Sequence, residues 1–214
     1  YGSPKRKGGS SASFGNYVLS KISDKGVVKE ILHVGESIKN EEKWNALSES
    51  IKNADTIILT FPLYWDSLPS HLTKALERLY HGMKDNDNSP NFYVIVHNGF
   101  PEPWHNEVAI RICNCFSEKM GYRWQGALNI GGGAAIAGRP LEETGGMTLK
   151  LRETLDMAAK AMDKGEPIPD EVRNRLAKPL YPPWFSTVLG GFGWRKMAKQ
   201  KGAKTSLKSK PYRR

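Results

Sequence analysis

A chain of 214 residues with 39% hydrophobic and 25% charged content suits one buried core. Its 21 glycines and 13 prolines follow no repeat, which excludes collagen-like and solenoid architectures, and no run approaches the roughly 20 apolar residues needed to span a bilayer. The net charge of +10 is concentrated in residues 195–214, which hold nine Lys or Arg and no acid, so the body is near neutral and the tail basic. Such a run is usually a solvated face, and nucleic-acid or membrane contact by the tail is the lesser expectation.

In chain order, apolar runs alternate with helical patterns, the sequence form of βαβ units around a parallel sheet. Ser10 to Ile22 reads as a helix with Phe14, Tyr17, Val18 and Ile22 on one face. Val27 to Val34 is a strand candidate, followed by a helix over Glu41 to Lys52 with Trp44, Leu47 and Ile51 inward. Residues 55–61 form the clearest buried strand, and Ser67 to Met83 a helix burying Leu72, Leu76, Leu79 and Tyr80, capped by Asp66 or Ser67. Phe92 to Val96 is the next strand. A helix over Trp104 to Met120 carries Val108, Ile112, Cys115 and Phe116. Arg123 to Ile130 is the last strand, and Met147 to Met162 a closing helix with Leu151, Leu155 and Ala158 as its core stripe.

Three loops carry candidate chemistry, the second and third of them at the ends of apolar runs. The first, from Gly2 through Ser3, Pro4, Lys5, Arg6, Lys7, Gly8, Gly9 and Ser10 to Ser11, offers small residues, hydroxyls and cations ahead of a helix. Free N–H groups and the helix dipole favour an anion there, so a phosphate is the natural guest. Ser3 is the first choice of contact, then Ser10, Ser11 and the N–H groups from Gly8 and Gly9 onward, with Lys5, Arg6 or Lys7 to neutralise a dianion. A nucleoside-triphosphate loop and the dinucleotide fingerprint are both absent. The second loop, Pro62-Leu63-Tyr64-Trp65, is an aromatic turn suited to a flat ring, although core packing is the alternative for Tyr64 and Trp65. The third, His97-Asn98-Gly99-Phe100-Pro101, offers Asn98 as both donor and acceptor. Gly131 to Gly133 would let a backbone or a ligand approach closely.

Together these loops resemble those of the flavodoxin-like NAD(P)H-dependent oxidoreductases, the NADPH-dependent FMN reductase family, over residues 1 to about 165. The resemblance implies a doubly wound α/β fold with strand order 2-1-3-4-5. It also implies a central first strand ahead of Gly2, which would then lie upstream of Tyr1. FMN would have its phosphate on the first loop (Ser3, Lys5, Lys7, Gly9, Ser10, Ser11) and its ring against Pro62, Leu63, Tyr64 and Trp65. Asn98, Gly99 and Phe100 would meet the pyrimidine end. Ligands of such sheets sit outside the strand carboxyl ends, where all three loops lie.

The implied activity is hydride transfer from NADH or NADPH to flavin N5, and onward to a quinone, flavin or nitro-aromatic type acceptor, by a cytoplasmic homodimer. No catalytic side chain or metal is required, because the cofactor carries the chemistry. Two alternatives are an electron carrier that makes no direct use of NAD(P)H and a non-catalytic module that binds through the basic tail. Cys113 and Cys115, two apart on a helix, diverge and suit neither a metal site nor a redox pair, and two cysteines fit a reducing compartment. His97 and His105 are candidate proton donors.

Residues 166–214 read as an extension, proline-rich, then apolar over Trp184 to Trp194, then basic. The apolar stretch should cover the protein's own body or a partner subunit near the flavin, and a short basic helix should follow over Arg195 to Lys201.

Overall fold

The structure, a computed structural model, describes residues 1–4, 8–23, 25–83 and 87–202. At its centre is a parallel sheet of three strands in the order β1 (Thr56–Pro62), β2 (Asn91–His97), β3 (Arg123–Ile130). The middle strand is buried on both faces, as its unbroken apolar run requires. Its alternate residues feed two cores: Phe92, Val94 and Val96 on one side, Tyr93 and Ile95 on the other.

The first core is closed by α2 (Val34–Ser37), α3 (Glu41–Asn53), α4 (Ser70–Met83) and α5 (Glu107–Lys119). The second is closed by α1 (Ser10–Lys21), α6 (Leu149–Asp163) and α7 (Asp170–Leu176). Helices therefore cover both faces, the α/β layering expected from the alternation. Phe14, Val18, Leu155, Ala158 and Val172 are fully buried, and truncating a Leu such as Leu155 to Ala in such a place costs about 2–5 kcal/mol.

Several expectations are corrected. Val27 to Val34 joins no strand: residues 27–33 carry no regular secondary structure, with Val28 almost wholly exposed. A parallel edge strand needs an inner neighbour, and here only Tyr1 and Gly2 occupy that place. Val34 N–H donates to Tyr1 O at 3.0 Å, and Gly2 N–H donates to Thr60 O at 2.8 Å. The sheet thus shows β1-β2-β3 rather than the five-strand order 2-1-3-4-5.

On α5 the inward face is Ala109, Cys113 and Ser117, so Val108, Ile112 and Cys115 point outward. The small residues let the helix lie close on β2 and β3. The α4 helix begins at Ser70, where Leu72 and Thr73 N–H bond Pro69 O, so neither Asp66 nor Ser67 caps it. Beyond α7, the apolar stretch and the expected basic helix are one element, α8 (Pro183–Gln200). Among the described residues no helix is long and apolar enough to cross a membrane.

Candidate active site

Past a register shift at Phe92 and Tyr93, the parallel ladder puts Pro62, His97 and Ile130 side by side, so the loops after all three strands leave the sheet at one level. The first loop joins them because Gly2 is bonded to Thr60 near the end of β1. The three loops singled out in the sequence therefore meet at the carboxyl edge, and the segment after β3 closes beneath them.

That closure is made of glycine. A Cβ on Gly138, whose φ is +77°, would lie 1.8 Å from Gly8 O. One on Gly131 would lie 2.0 Å from Pro101 O, and one on Gly133 would lie 2.3 Å from His97 Nδ1. The close approach expected of Gly131 to Gly133 is thus an approach of protein to protein. Gly133 N–H donates to Asn98 O at 2.8 Å and Gly132 N–H to Phe100 O at 2.5 Å, which ties the third loop to the same segment.

In the first loop, Ser3 and Ser11 are buried and Gly9 precedes α1. Ala12 and Ser13 N–H both bond Gly9 O, so the N–H groups of Ser10 and Ser11 come before the first intrahelical bond. The hydroxyls are spent on protein partners: Ser10 Oγ donates to Gly133 O at 2.8 Å, and Ser11 Oγ lies 2.9 Å from His97 Nε2 in a buried hydrogen bond. Thr60 Oγ1 donates to Ser11 O at 3.1 Å and completes the anchorage. Lys5, Arg6 and Lys7 lie outside the described residues.

His97 is nearly enclosed, and burial pushes its pKa down to about 4, so it is neutral at pH 7. Through Ser11 it braces the first loop. The Ser11–His97 pair leaves no local trace in the sequence, because the two residues are 86 positions apart.

In the second loop, Leu63 N–H donates to His97 O at 2.7 Å, after which Tyr64 and Ser67 exchange backbone hydrogen bonds across a two-residue turn. Trp65 and Asp66, at its tip, have φ of 49° and 56°, the left-handed conformation that such a tight turn demands and that bulky residues adopt at a cost. Trp65 is 101% exposed and Tyr64 is also exposed, which removes the core-packing alternative for both. Pro62 and Leu63 are half-buried behind them.

In the third loop, Asn98 is buried. Its Nδ2 donates to Glu102 O at 2.8 Å, while its Oδ1 has no hydrogen-bond partner among the described residues. Gly99 and Phe100 are exposed, and the Phe100 ring lies against His105 with centroids 5.3 Å apart. His105 Nδ1 stands 3.9 Å from Asp66 Oδ1, which links the second loop to the third. No group of His, Cys, Asp and Glu suited to a metal occurs among the described residues. Cys113 is buried with its thiol pushed up to about 12, so it is inert at neutral pH.

Residues 1–100 match the family described as NADPH-dependent FMN reductase. The matched part includes the first and second loops and extends to Phe100 of the third. Two solved structures resemble the chain. The Trp repressor binding protein from Bacillus subtilis is 16% identical, over 64% of this chain and 92% of that one, with a TM-score of 0.46. An FMN-dependent NADH-azoreductase from Bacillus anthracis str. Ames Ancestor, solved in complex with FMN, is 15% identical, over 75% of this chain and 95% of that one, also with a TM-score of 0.46. No curated protein matches the chain.

Proposed function

We propose that this chain, with the NADPH-dependent FMN reductase pattern in its first 100 residues, is an oxidoreductase that holds FMN at the carboxyl edge of its sheet. It draws reducing equivalents from NADH or NADPH and passes them to a quinone, flavin or nitro-aromatic type acceptor. The observation that carries this reading is the meeting of three loops at one sheet edge, locked together by glycine contacts.

The residues fit the cofactor. The N–H groups at the start of α1, around Gly9, Ser10 and Ser11, would hold the phosphate with Ser3, Lys5 and Lys7. The hydroxyls of Ser10 and Ser11 brace that loop instead of serving the anion directly. Pro62, Leu63, Tyr64 and Trp65 would border the ring. The orphaned Oδ1 of Asn98 is the acceptor suited to the polar pyrimidine end, beside Gly99 and Phe100. When bound, FMN supplies hydride acceptance from the nicotinamide and release of electrons to the acceptor. The chain's own work is to orient the ring, keep His97 neutral beneath it and leave the aromatic side open to substrates.

We assign this chemistry to residues 1–165 and treat residues 166–214 as an appended segment. Ile168, Val172 and Leu176 nevertheless pack into the second core. A cytoplasmic homodimer suits the reading. Val108 and Ile112 on the outward side of α5, with Trp104 just ahead of that helix, are apolar and exposed, which supports a self-association surface.

The test is the visible spectrum of purified protein after addition of FMN and removal of the excess, followed by rapid mixing with NADPH. Retained flavin that bleaches promptly is the expected result. A folded protein that keeps no flavin overturns the proposal, and flavin reduced only by another protein makes the chain an electron carrier.

A further inference from the structure

The extension returns to the site. Leu180 and Tyr181 seat on the glycine segment after β3, since a Cβ on Gly132 would lie 2.9 Å from Tyr181 Cε1 and 3.2 Å from Leu180 Cβ. The Tyr181 phenol is held above its ordinary pKa by burial and by the charge of Glu102, which places this anchor beside the third loop. From there α8 runs so that Trp184, Gly191 and Trp194 fall on one face, at intervals of seven and three residues. That face and the third loop border an open groove of about 570 Å³, with Phe100 and Glu102 on one side and the two tryptophans on the other. The volume lies within the range of small-molecule sites, roughly 300–1,000 Å³.

We propose that this groove is a binding slot for one planar, uncharged or cationic aromatic ring, the electron acceptor of the reaction. The assignment of the ring as acceptor rests on the FMN oxidoreductase reading above. Its shape follows from the residues. Two indoles stand at either end of a glycine gap, where a Cβ on Gly190 or Gly191 would meet nothing within 4 Å. Phe100 stands opposite, backed by His105. Trp184, Trp194 and Phe100 are each about two-thirds exposed, at 67%, 65% and 64%, and so offer ring faces that a flat guest can cover.

The charge of the guest follows from the lining. Glu102 is the one ionisable side chain lining the slot among the described residues, and neither Lys nor Arg lines it there. An anionic ring, or the phosphate-bearing part of a dinucleotide, would meet that carboxylate without a counter-charge, whereas a neutral or cationic ring is tolerated or attracted. Phe100 belongs both to this slot and to the loop that faces the flavin, so a ring held here lies next to the cofactor's place.

The experiment is a titration of FMN-treated protein with 1,4-naphthoquinone, followed by tryptophan fluorescence, alongside its 2-sulfonate. The slot is filled from its floor with Gly191→Leu, which has space to stand in and removes a helix-weakening glycine, so the fold should persist. Expected are a Kd for naphthoquinone raised at least tenfold in Gly191→Leu, flavin retention unchanged, and weaker binding of the sulfonate that Glu102→Gln restores. An unchanged Kd in folded Gly191→Leu overturns the slot, whatever the flavin does. If the parent protein retains no flavin but binds the ring in a Gly191-dependent way, the slot stands and its role as acceptor site falls.

Discussion

The floor and the rim of the site are built from opposite materials. Beneath the loops, Gly131, Gly133 and Gly138 bring backbone against backbone with no room for a methyl group. Around them Trp65, Phe100, Trp184 and Trp194 stand largely in solvent. A contact that admits no side chain fixes position, and a ring face left in solvent can be covered when something binds. The contrast assigns geometry to the floor and recognition to the rim, and it makes their mutational responses separable.

The largest effect should come from the floor. Gly138→Ala must place a Cβ against Gly8 O in a left-handed residue, at a cost of about 3 kcal/mol. Calorimetry should show a Tm lower by roughly 6–12 °C, with flavin retention lost in parallel. A Tm within a degree of the parent would mean that the first loop is free to move away, and the contrast would collapse.

Acid should act next, through His97. Its folded pKa lies below the unfolded value of about 6.5, so the unfolded chain binds the proton more tightly between the two. The associated stability is complete above pH 6.5 and falls by about 3 kcal/mol as pH drops through 4. Denaturant unfolding at pH 7, 5 and 4 measures it, and His97→Asn should flatten that part of the profile.

Smaller again are the hydroxyl braces. Ser11→Ala leaves His97 Nε2 unpaired in a buried place and should cost about 1–3 kcal/mol, whereas Ser10→Ala loses one bond to Gly133 O and should cost about 1 kcal/mol. Equal losses measured in urea would contradict the burial difference between them.

At the rim the sign reverses. Trp65→Gly removes the strain of a left-handed tryptophan, about 1 kcal/mol, against some added freedom of the unfolded chain. Stability should hold or rise slightly while FMN affinity falls. A clear drop in Tm with unchanged FMN affinity would make Trp65 a structural residue.

Much of this was legible in the sequence. β1 and β2 stand where apolar runs are, because burial leaves little freedom of composition, and β3 keeps its bounds at Arg123 and Ile130 although Arg123, Gln125 and Asn129 interrupt its apolar residues. The second and third loops are legible because each follows such a run, and the first because of its own small, hydroxyl and basic residues ahead of a helix. Val27 to Val34 misled because an apolar run states what a strand wants to bury, not whether a neighbouring strand is there to pair with it. On α5, the stripe of Val108 and Ile112 outweighed Ala109, Cys113 and Ser117, although small residues spaced by four are what a close helix-on-sheet contact needs. The hydroxyls of Ser10 and Ser11 were assigned to an anion because their partners, 123 and 86 positions away, leave no local trace. Gly138 was missed for the same reason: its meaning lies in Gly8.

The parallel ladder also gives the molecule a chemically quiet end. The Gly121 turn between α5 and β3 lies at the amino edge of the strands, opposite the loops, exposed and with open space around it. A tether, reporter or electrode linkage attached there would hold the protein with its aromatic mouth turned outward, and would leave the route for incoming substrates clear.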